Sequence, residues 1–464
     1  MPSNLRKVLN ELPISLDDTY ERTLQRIPNE QWQYAHRLFQ CLVAAIRPLR
    51  VEELAEIFAV EFNSDSVPNL VKDWRLDNPE AAVLSACSTL IAVVEDNGSK
   101  YFQFSHFSVK EFLISNRLRT SDVAGNIRQY HISLDSAHIV LAQACLAVLL
   151  QLDKNMDKKR LATFPMAFYA AQHWVDHAKV ESVATQIQDS MERLFDPTKS
   201  YLASWAWIYD VDRSWVRLPI ESLPEYPPKP GASALYYAVL CGFSQLAKHL
   251  IISRAEDVNA RCGYHGTPLH AALFSKHFDS ASVLLDHGAD VNLKDRDGRI
   301  PLVGAYDRRN LEAMRLLLER GATPNVRYGS FGFLSHHASY HGRSEVIELL
   351  LDHEVDLNGR CSKAWTPLHW ASAGGHANVA RLFLEYGAEV DARSKTGNTP
   401  LHQASRNGHL EVVQVLLEHG ADLHVRGELD WTPFQMATSM GRGEVAELLL
   451  RYGAEENSEG VTDI

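Results

Sequence analysis

The chain has 464 residues, 45% hydrophobic and 22% charged, with a formal net charge of −12, a profile that suits a soluble protein of roughly two to four domains. The acidic surplus is spread evenly, with 24 basic against 29 acidic side chains in residues 1–230 and 22 against 29 in residues 231–464. Neither half has the Lys and Arg excess that phosphate backbones demand, so nucleic acid is excluded as an expected partner.

The six cysteines are scattered without a C-x-x-C pair, which argues against a disulfide framework or zinc site and for a reduced, cytoplasmic setting. Residues Met1 to Leu12 are polar and lack the apolar core of a signal peptide. The longest apolar run, Ile139 to Leu152, is too short for a bilayer span and is interrupted by Gln143. No membrane segment is expected.

In chain order, apolar periodicity predicts helices near 17–27, 31–46, 51–60 and 79–88, the last led by Asn78-Pro79. A hairpin follows: Leu90–Glu95, the turn Asp96-Asn-Gly98, then Lys100–Phe104. Asn-Gly between apolar runs is a strong hairpin signal. A further helix is expected from Phe107 to Arg117. Three helices and a two-stranded wing make a winged-helix domain over 1–120. Helices near 134–152, 165–178, 181–195 and 199–208 then make a helical segment over 121–217.

Three stretches of this half carry a family resemblance: Leu12-Pro-Ile-Ser-Leu-Asp-Asp-Thr-Tyr-Glu-Arg22, Arg47-Pro-Leu-Arg-Val-Glu-Glu-Leu-Ala55 and Phe104-Ser-His-Phe-Ser-Val-Lys-Glu-Phe-Leu113. They resemble the segment that follows the NTPase core in NACHT-family proteins, with fungal NACHT–ankyrin relatives of NOD-like receptors as the nearest type. The NACHT phosphate loop, G-x-x-x-x-G-K-[ST], does not occur. The chain is therefore expected to begin beyond the ATPase core and not to hydrolyse nucleotide alone. The resemblance implies that His106 matches a winged-helix histidine that contacts the phosphate of bound ADP. Without the core that sensing role is orphaned, and a structural histidine is the other reading.

Residues 218–230 hold five prolines, giving an extended, semi-rigid connector. Glycine then changes abruptly, from two residues before position 231 to 23 after it. The segments Thr267-Pro-Leu-His270, Thr366-Pro-Leu-His369 and Thr399-Pro-Leu-His402 are identical, and the same register begins at 233, 267, 300, 333, 366, 399 and 432. A second motif keeps step, as in Leu416-Leu-Glu-His-Gly-Ala-Asp422. Thr before Pro caps a helix, and the later glycine ends one in a left-handed conformation. The 33-residue period and the T-P-L-H-x-A core resemble the ankyrin repeat. Seven repeats are expected over 231–464, starting near 231, 265, 298, 331, 364, 397 and 430. The expected fold class is mainly α: winged helix, helical segment, then an ankyrin-repeat solenoid.

Two departures stand out. The fourth repeat has Glu354 for the terminal glycine and a degenerate cap at Phe333-Leu-Ser335. The first repeat is apolar on more than one face, so it is expected to pack on residues N-terminal to it and to make the two halves one rigid body.

The 15 histidines after residue 231 do not suggest a metal site, because His270, His336, His369 and His402 stand one repeat apart. No hydrolase, metalloprotease or kinase motif occurs, so neither catalytic residues nor a cofactor are expected. One basic residue precedes each later cap (Arg261, Lys294, Arg327, Arg360, Arg393, Arg426), which is either what the resemblance to ankyrin repeats implies at that position or a ladder that would steer an acidic ligand. On neighbouring finger and inner-helix positions stand Tyr264, Phe274, Asp297, Arg299, Tyr340, Trp365, Lys395, Arg406 and Trp431. Aromatics and arginine are the usual anchors of protein interfaces, although Trp365 and Trp431 could equally be braces. The expected function is a non-enzymatic scaffold or sensor module that binds a protein on its concave face. The alternative is a regulatory subunit or pseudo-receptor that assembles with a separate NACHT ATPase chain.

Overall fold

The computed structural model describes residues 15–62, 67–87, 89–119, 125–180, 182–213 and 222–455. Leu12 to Ile14 of the first NACHT-like motif, and the start of the proline-rich connector, lie outside them. The chain divides into two compact units, Met1–His287 and Gly288–Ile464. That division falls inside the second repeat, so only the first repeat and the helices of the second share a unit with the N-terminal half.

In the first unit, helices Leu16–Gln25, Trp32–Ala44 and Val51–Phe58 precede helix Pro79–Cys87 and the hairpin Ile91–Asp96/Ser99–Phe104. Asn97 and Gly98 both take positive φ, 49° and 78°, as the tight turn requires. The wing has three strands where two were expected. Leu49–Arg50 pairs antiparallel with the second hairpin strand, Leu49 opposite Phe102. What fixes those two residues is Glu53. Its buried carboxylate accepts the Arg50 amide at 2.8 Å and both terminal nitrogens of Arg47 at 2.8 and 2.6 Å.

Helix Phe107–Ile114 closes the domain, and Leu134–Leu149 is the central helix of the next segment, packed on Ala167–Ala178 and Trp32–Ala44. Its C-terminal half is Ala, Leu, Val and Cys apart from Gln143, and that half is buried. The helix expected over 181–195 is two pieces, Val183–Gln186 and Gln188–Leu194.

The first repeat does pack on N-terminal residues. Trp174 stacks on Phe243 and meets Trp205 edge-on, each at 5.3 Å between ring centres, and Trp205 meets Tyr237 at 6.1 Å. Beneath the rings, buried Asp212 accepts from the Tyr236 hydroxyl at 2.6 Å and from the Tyr264 amide, while Tyr236 in turn accepts the His265 amide at 3.0 Å.

Each repeat is a short inner helix, a longer outer helix and an extended finger. The inner helices of the second unit are Pro301–Asp307, Leu334–Tyr340, Pro367–Gly374, Pro400–Asn407 and Pro433–Ser439. The cap chemistry is complete at Thr366. Its hydroxyl accepts the His369 amide at 3.4 Å, and His369 Nδ1 accepts the Thr366 amide at 3.2 Å. The outer helices end in left-handed residues, Gly321 at φ 85° and Gly387 at φ 90°, and in the fourth repeat Glu354 occupies the same conformation at φ 58°. That repeat also lacks a side-chain cap at Phe333. Glu354→Gly is expected to stabilise the second unit by roughly 1 kcal/mol. An unchanged urea midpoint, or hydrogen exchange already as slow in Ser344–Leu351 as in Ala377–Glu385, would count against it.

Candidate partner-binding surface

The fourth repeat has an unusual finger. Arg327–Tyr328 pairs with Gly332–Phe333 as a miniature hairpin around Gly329–Phe331. Positive-φ glycines fall at 329 and 332, φ 54° and 109°, on either side of position 331, which corresponds to Gly298 and Gly397 in other fingers. Phe331 therefore stands where those fingers have glycine. Its ring lies 4.8 Å from His337, 5.7 Å from Tyr340 and 4.9 Å from Trp370.

Around it the inner helices supply further rings. Tyr340 meets Trp370 edge-on at 5.6 Å, and Trp365 lies 4.7 Å from Trp370. Tyr306 bonds His337 Nδ1 at 2.6 Å and carries the Arg343 guanidinium over its face at 4.3 Å. Burial first, then neighbouring His341 and Arg343, push His337 down to about 4, so the patch is uncharged at neutral pH apart from its rim. It is an aromatic surface spanning three repeats, and its content suits desolvation by a protein partner.

The sequence-derived residues fall into three groups. Tyr340 (38% exposed) and half-buried Trp365 join through Trp370. Asp297 and Arg299 pair with each other, and Arg299 reaches Asp307, which accepts the Tyr328 hydroxyl at 2.7 Å. Lys395 and Arg406 are exposed. Tyr264 and Phe274 lie in the other compact unit, where Phe274 stacks on His265 at 3.8 Å. Trp431 is half-buried, and its carbonyl accepts from His402. Phe331, Trp370, His337, Tyr306 and Tyr328 were missed. A usable signal was present: His337 and Trp370 occupy the same position of successive repeats.

The basic ladder is corrected by the geometry. Arg360 donates to the Arg393 carbonyl at 2.9 Å, and Arg393 to the Arg426 carbonyl at 3.5 Å. Arg360 also lies 3.7 Å from Glu389, and Arg426 turns back on Asp430 at 2.9 Å. Arg360 and Arg393 tie neighbouring fingers together, so this part of the ladder is not a free cationic track. The histidines do likewise: His336 bonds the Gly359 carbonyl at 2.9 Å, His369 the Asn398 carbonyl at 3.0 Å and His402 the Trp431 carbonyl at 3.0 Å. With Nδ1 already accepting an amide, each ring has spent both nitrogens. Among the described residues no group of His, Cys, Asp or Glu is placed to hold a metal ion, and no helix is long and apolar enough to cross a membrane.

His106 is the N-cap of helix Phe107–Ile114. Its Nδ1 accepts the Ser108 amide at 3.3 Å and bonds the Ser108 hydroxyl at 2.6 Å, and that hydroxyl meets Tyr20 at 2.7 Å. The ring is exposed beside Phe107, itself 70% exposed.

Ankyrin-repeat models match residues 235–328, 333–394 and 389–460. The repeats of this half of the chain are ankyrin repeats. Residues 20–126 of the ankyrin-repeat chain match the winged helix domain of GPI inositol-deacylase, in agreement with the NACHT-associated arrangement expected from its motifs. A relative, the azaphilone pigments biosynthesis cluster protein L of Monascus ruber, is 30% identical over 297 residues. The alignment covers 61% of this chain and spans only 61% of the relative's length. Ankyrin repeats are interaction modules without catalytic chemistry of their own, which supports protein partners for the array.

Proposed function

We propose that the chain is a non-catalytic, cytoplasmic interaction module that holds a protein ligand on the finger and inner-helix face of repeats three to six, as a sensor or scaffold related to NACHT–ankyrin signalling. The observation that carries this reading is the aromatic patch of Phe331, Tyr340, Trp365 and Trp370, with Tyr340 38% exposed. Buried Leu and Ala positions hold the stack together and are closed to a ligand, whereas this patch can be covered without unfolding anything. The double change Tyr340→Ala with Arg406→Ala is expected to weaken partner binding by about 2 kcal/mol or more. Glu411→Ala, on the exposed side of helix Leu410–Glu418, is the control. Equal capture by both variants would move the site off this face.

A second reading rests on the winged helix. Exposed Phe107 beside His106 gives that domain an apolar point at which a separate NACHT ATPase chain would dock, with His106 resuming a phosphate contact there. The same capture separates the two readings. An ATPase partner retained fully by Tyr340→Ala with Arg406→Ala, and lost on Phe107→Ser, is the result that favours the second.

A further inference from the structure

Beside Phe331 lies a cleft of about 170 Å³, lined by Ser330, Phe331, Cys361, Ser362, Lys363 and Trp370. It is well below the roughly 300–1,000 Å³ of sites that enclose a drug-sized molecule, and it has the capacity of one large apolar side chain. Two of its walls are aromatic, with Phe331 and Trp370 ring centres 4.9 Å apart. Trp370 Nε1 has no hydrogen-bond partner among the described residues, an uncommon state for a buried N–H and one that a ligand carbonyl would relieve.

The charge around the cleft is one-sided. Lys363 holds its ammonium 5.5 Å from the Trp365 ring centre and 6.0 Å from that of Trp370. The backbone of Lys395 is bonded directly to that of Lys363, amide to carbonyl, at 3.1 Å. Both lysines are exposed, as is Arg406 on the next inner helix. Elsewhere in this unit Arg299, Arg360, Arg426 and Arg451 each have a carboxylate within 4.0 Å. Among the described residues Lys363, Lys395 and Arg406 have none. Lys363 thus lines the cleft without an acidic partner, and Lys395 adjoins it through the backbone.

Resting on the reading of this face as the interaction surface, we propose that the occupant is an acidic peptide segment of a partner protein. One of its aromatic or leucine side chains fills the cleft, and carboxylates on either side of that anchor pair with Lys363 and Lys395. Charge complementarity selects the segment and sets its on-rate, and the aromatic slot selects the anchor. A single-stranded nucleic acid would also use rings and cations, and its binding is one of the outcomes of the test.

The test uses the full chain and short fluorescent peptides read by anisotropy: a Glu-rich peptide with one central phenylalanine, the same peptide with phenylalanine replaced by serine, and its Lys-rich twin. The first is expected to bind about ten-fold or more tightly than either of the others, with quenching of tryptophan emission. Lys363→Glu with Lys395→Glu should remove that preference, and both positions are exposed, so the fold survives. Phe331→Ala should weaken the phenylalanine peptide and leave the serine peptide unchanged. Equal binding of all three peptides, indifference to the lysine changes, or preferential binding of oligouridylate overturns the proposal. Native-partner capture that is lost on Tyr340→Ala with Arg406→Ala, yet unaffected by the lysine changes, overturns the acidic segment and leaves the interaction surface standing. No capture by the unaltered chain overturns the underlying reading.

Discussion

Gly263→Ala is expected to lower stability by about 3 kcal/mol or more, from two costs that add at one atom. The residue sits at φ 68°, where a Cβ costs about 1 kcal/mol. That Cβ would also stand 2.1 Å from Cζ of Tyr236, an overlap of the kind that costs about 1–3 kcal/mol when the neighbour can shift. Tyr236 has little freedom to shift, because its hydroxyl donates to buried Asp212 and accepts the His265 amide. Gly98→Ala is the matched control in the same compact unit: φ is 78° and nothing lies within 4 Å of the added carbon, so only the conformational cost of about 1 kcal/mol remains. The measurement is the thermal midpoint of both variants. Equal losses would mean that the Tyr236 ring yields, and the bracing assigned to Asp212 would fail with it.

Acid should loosen the second unit well above the range where ordinary carboxylates titrate. Burial first, then only partly offset by the bond to the Asn398 carbonyl, brings His369 from about 6.5 down to about 4. Burial lowers His336 and His402 as well. Between those two values the unfolded chain binds the proton and the folded chain does not, so stability is fully present above about pH 6.5 and declines as pH falls toward 4. For His369 alone the shift corresponds to roughly 3 kcal/mol. The last repeat contains the control, since Gln435 occupies the histidine position and its side-chain oxygen accepts the Thr432 amide at 2.9 Å. His369→Gln can keep the same bonds without a titrating ring. Its urea midpoint should change less between about pH 7 and about pH 4.5 than that of the unaltered chain. Identical pH profiles would remove His369 from the cause.

Much of this architecture was legible because local chemistry and global pattern agree. Thr-Pro at a helix start and glycine at a helix end recur every 33 residues, and Asn97-Gly98 marks its hairpin without help from the rest of the chain. What escaped has physical reasons of equal clarity. Leu49–Arg50 is too short to show alternation, and its pairing is set by a carboxylate three residues on. Asp212 looks like any loop acid until the fold brings the Tyr236 hydroxyl and the Tyr264 amide onto it. The basic ladder gave charge and register correctly, but spacing says nothing about where a guanidinium ends, and Arg360 and Arg393 end on backbone carbonyls. At the candidate surface Tyr340 and Trp365 were found by position. Phe331 was not, because it stands at a position where Gly298 and Gly397 make the turn in other fingers.

One set of cross-ties between fingers runs the same way. Side chains of one repeat reach a backbone group about one period further along the chain: His336 to Gly359, His369 to Asn398, Arg360 to Arg393, and Asn325 and Asn358 to the amides of Asp356 and Glu389. Each of these acceptors and donors belongs to the main chain, so the tie is indifferent to which side chain the next finger carries. These main-chain ties give the interior fingers a common coupling, to which the aromatic contacts of repeats three to five add a specific one. Recombination that duplicates or excises one whole repeat keeps the main-chain ties matched, and the exposed residues it brings are free to differ. The surface offered to a ligand can then be rewritten by shuffling, while the main-chain joints that hold it remain the same.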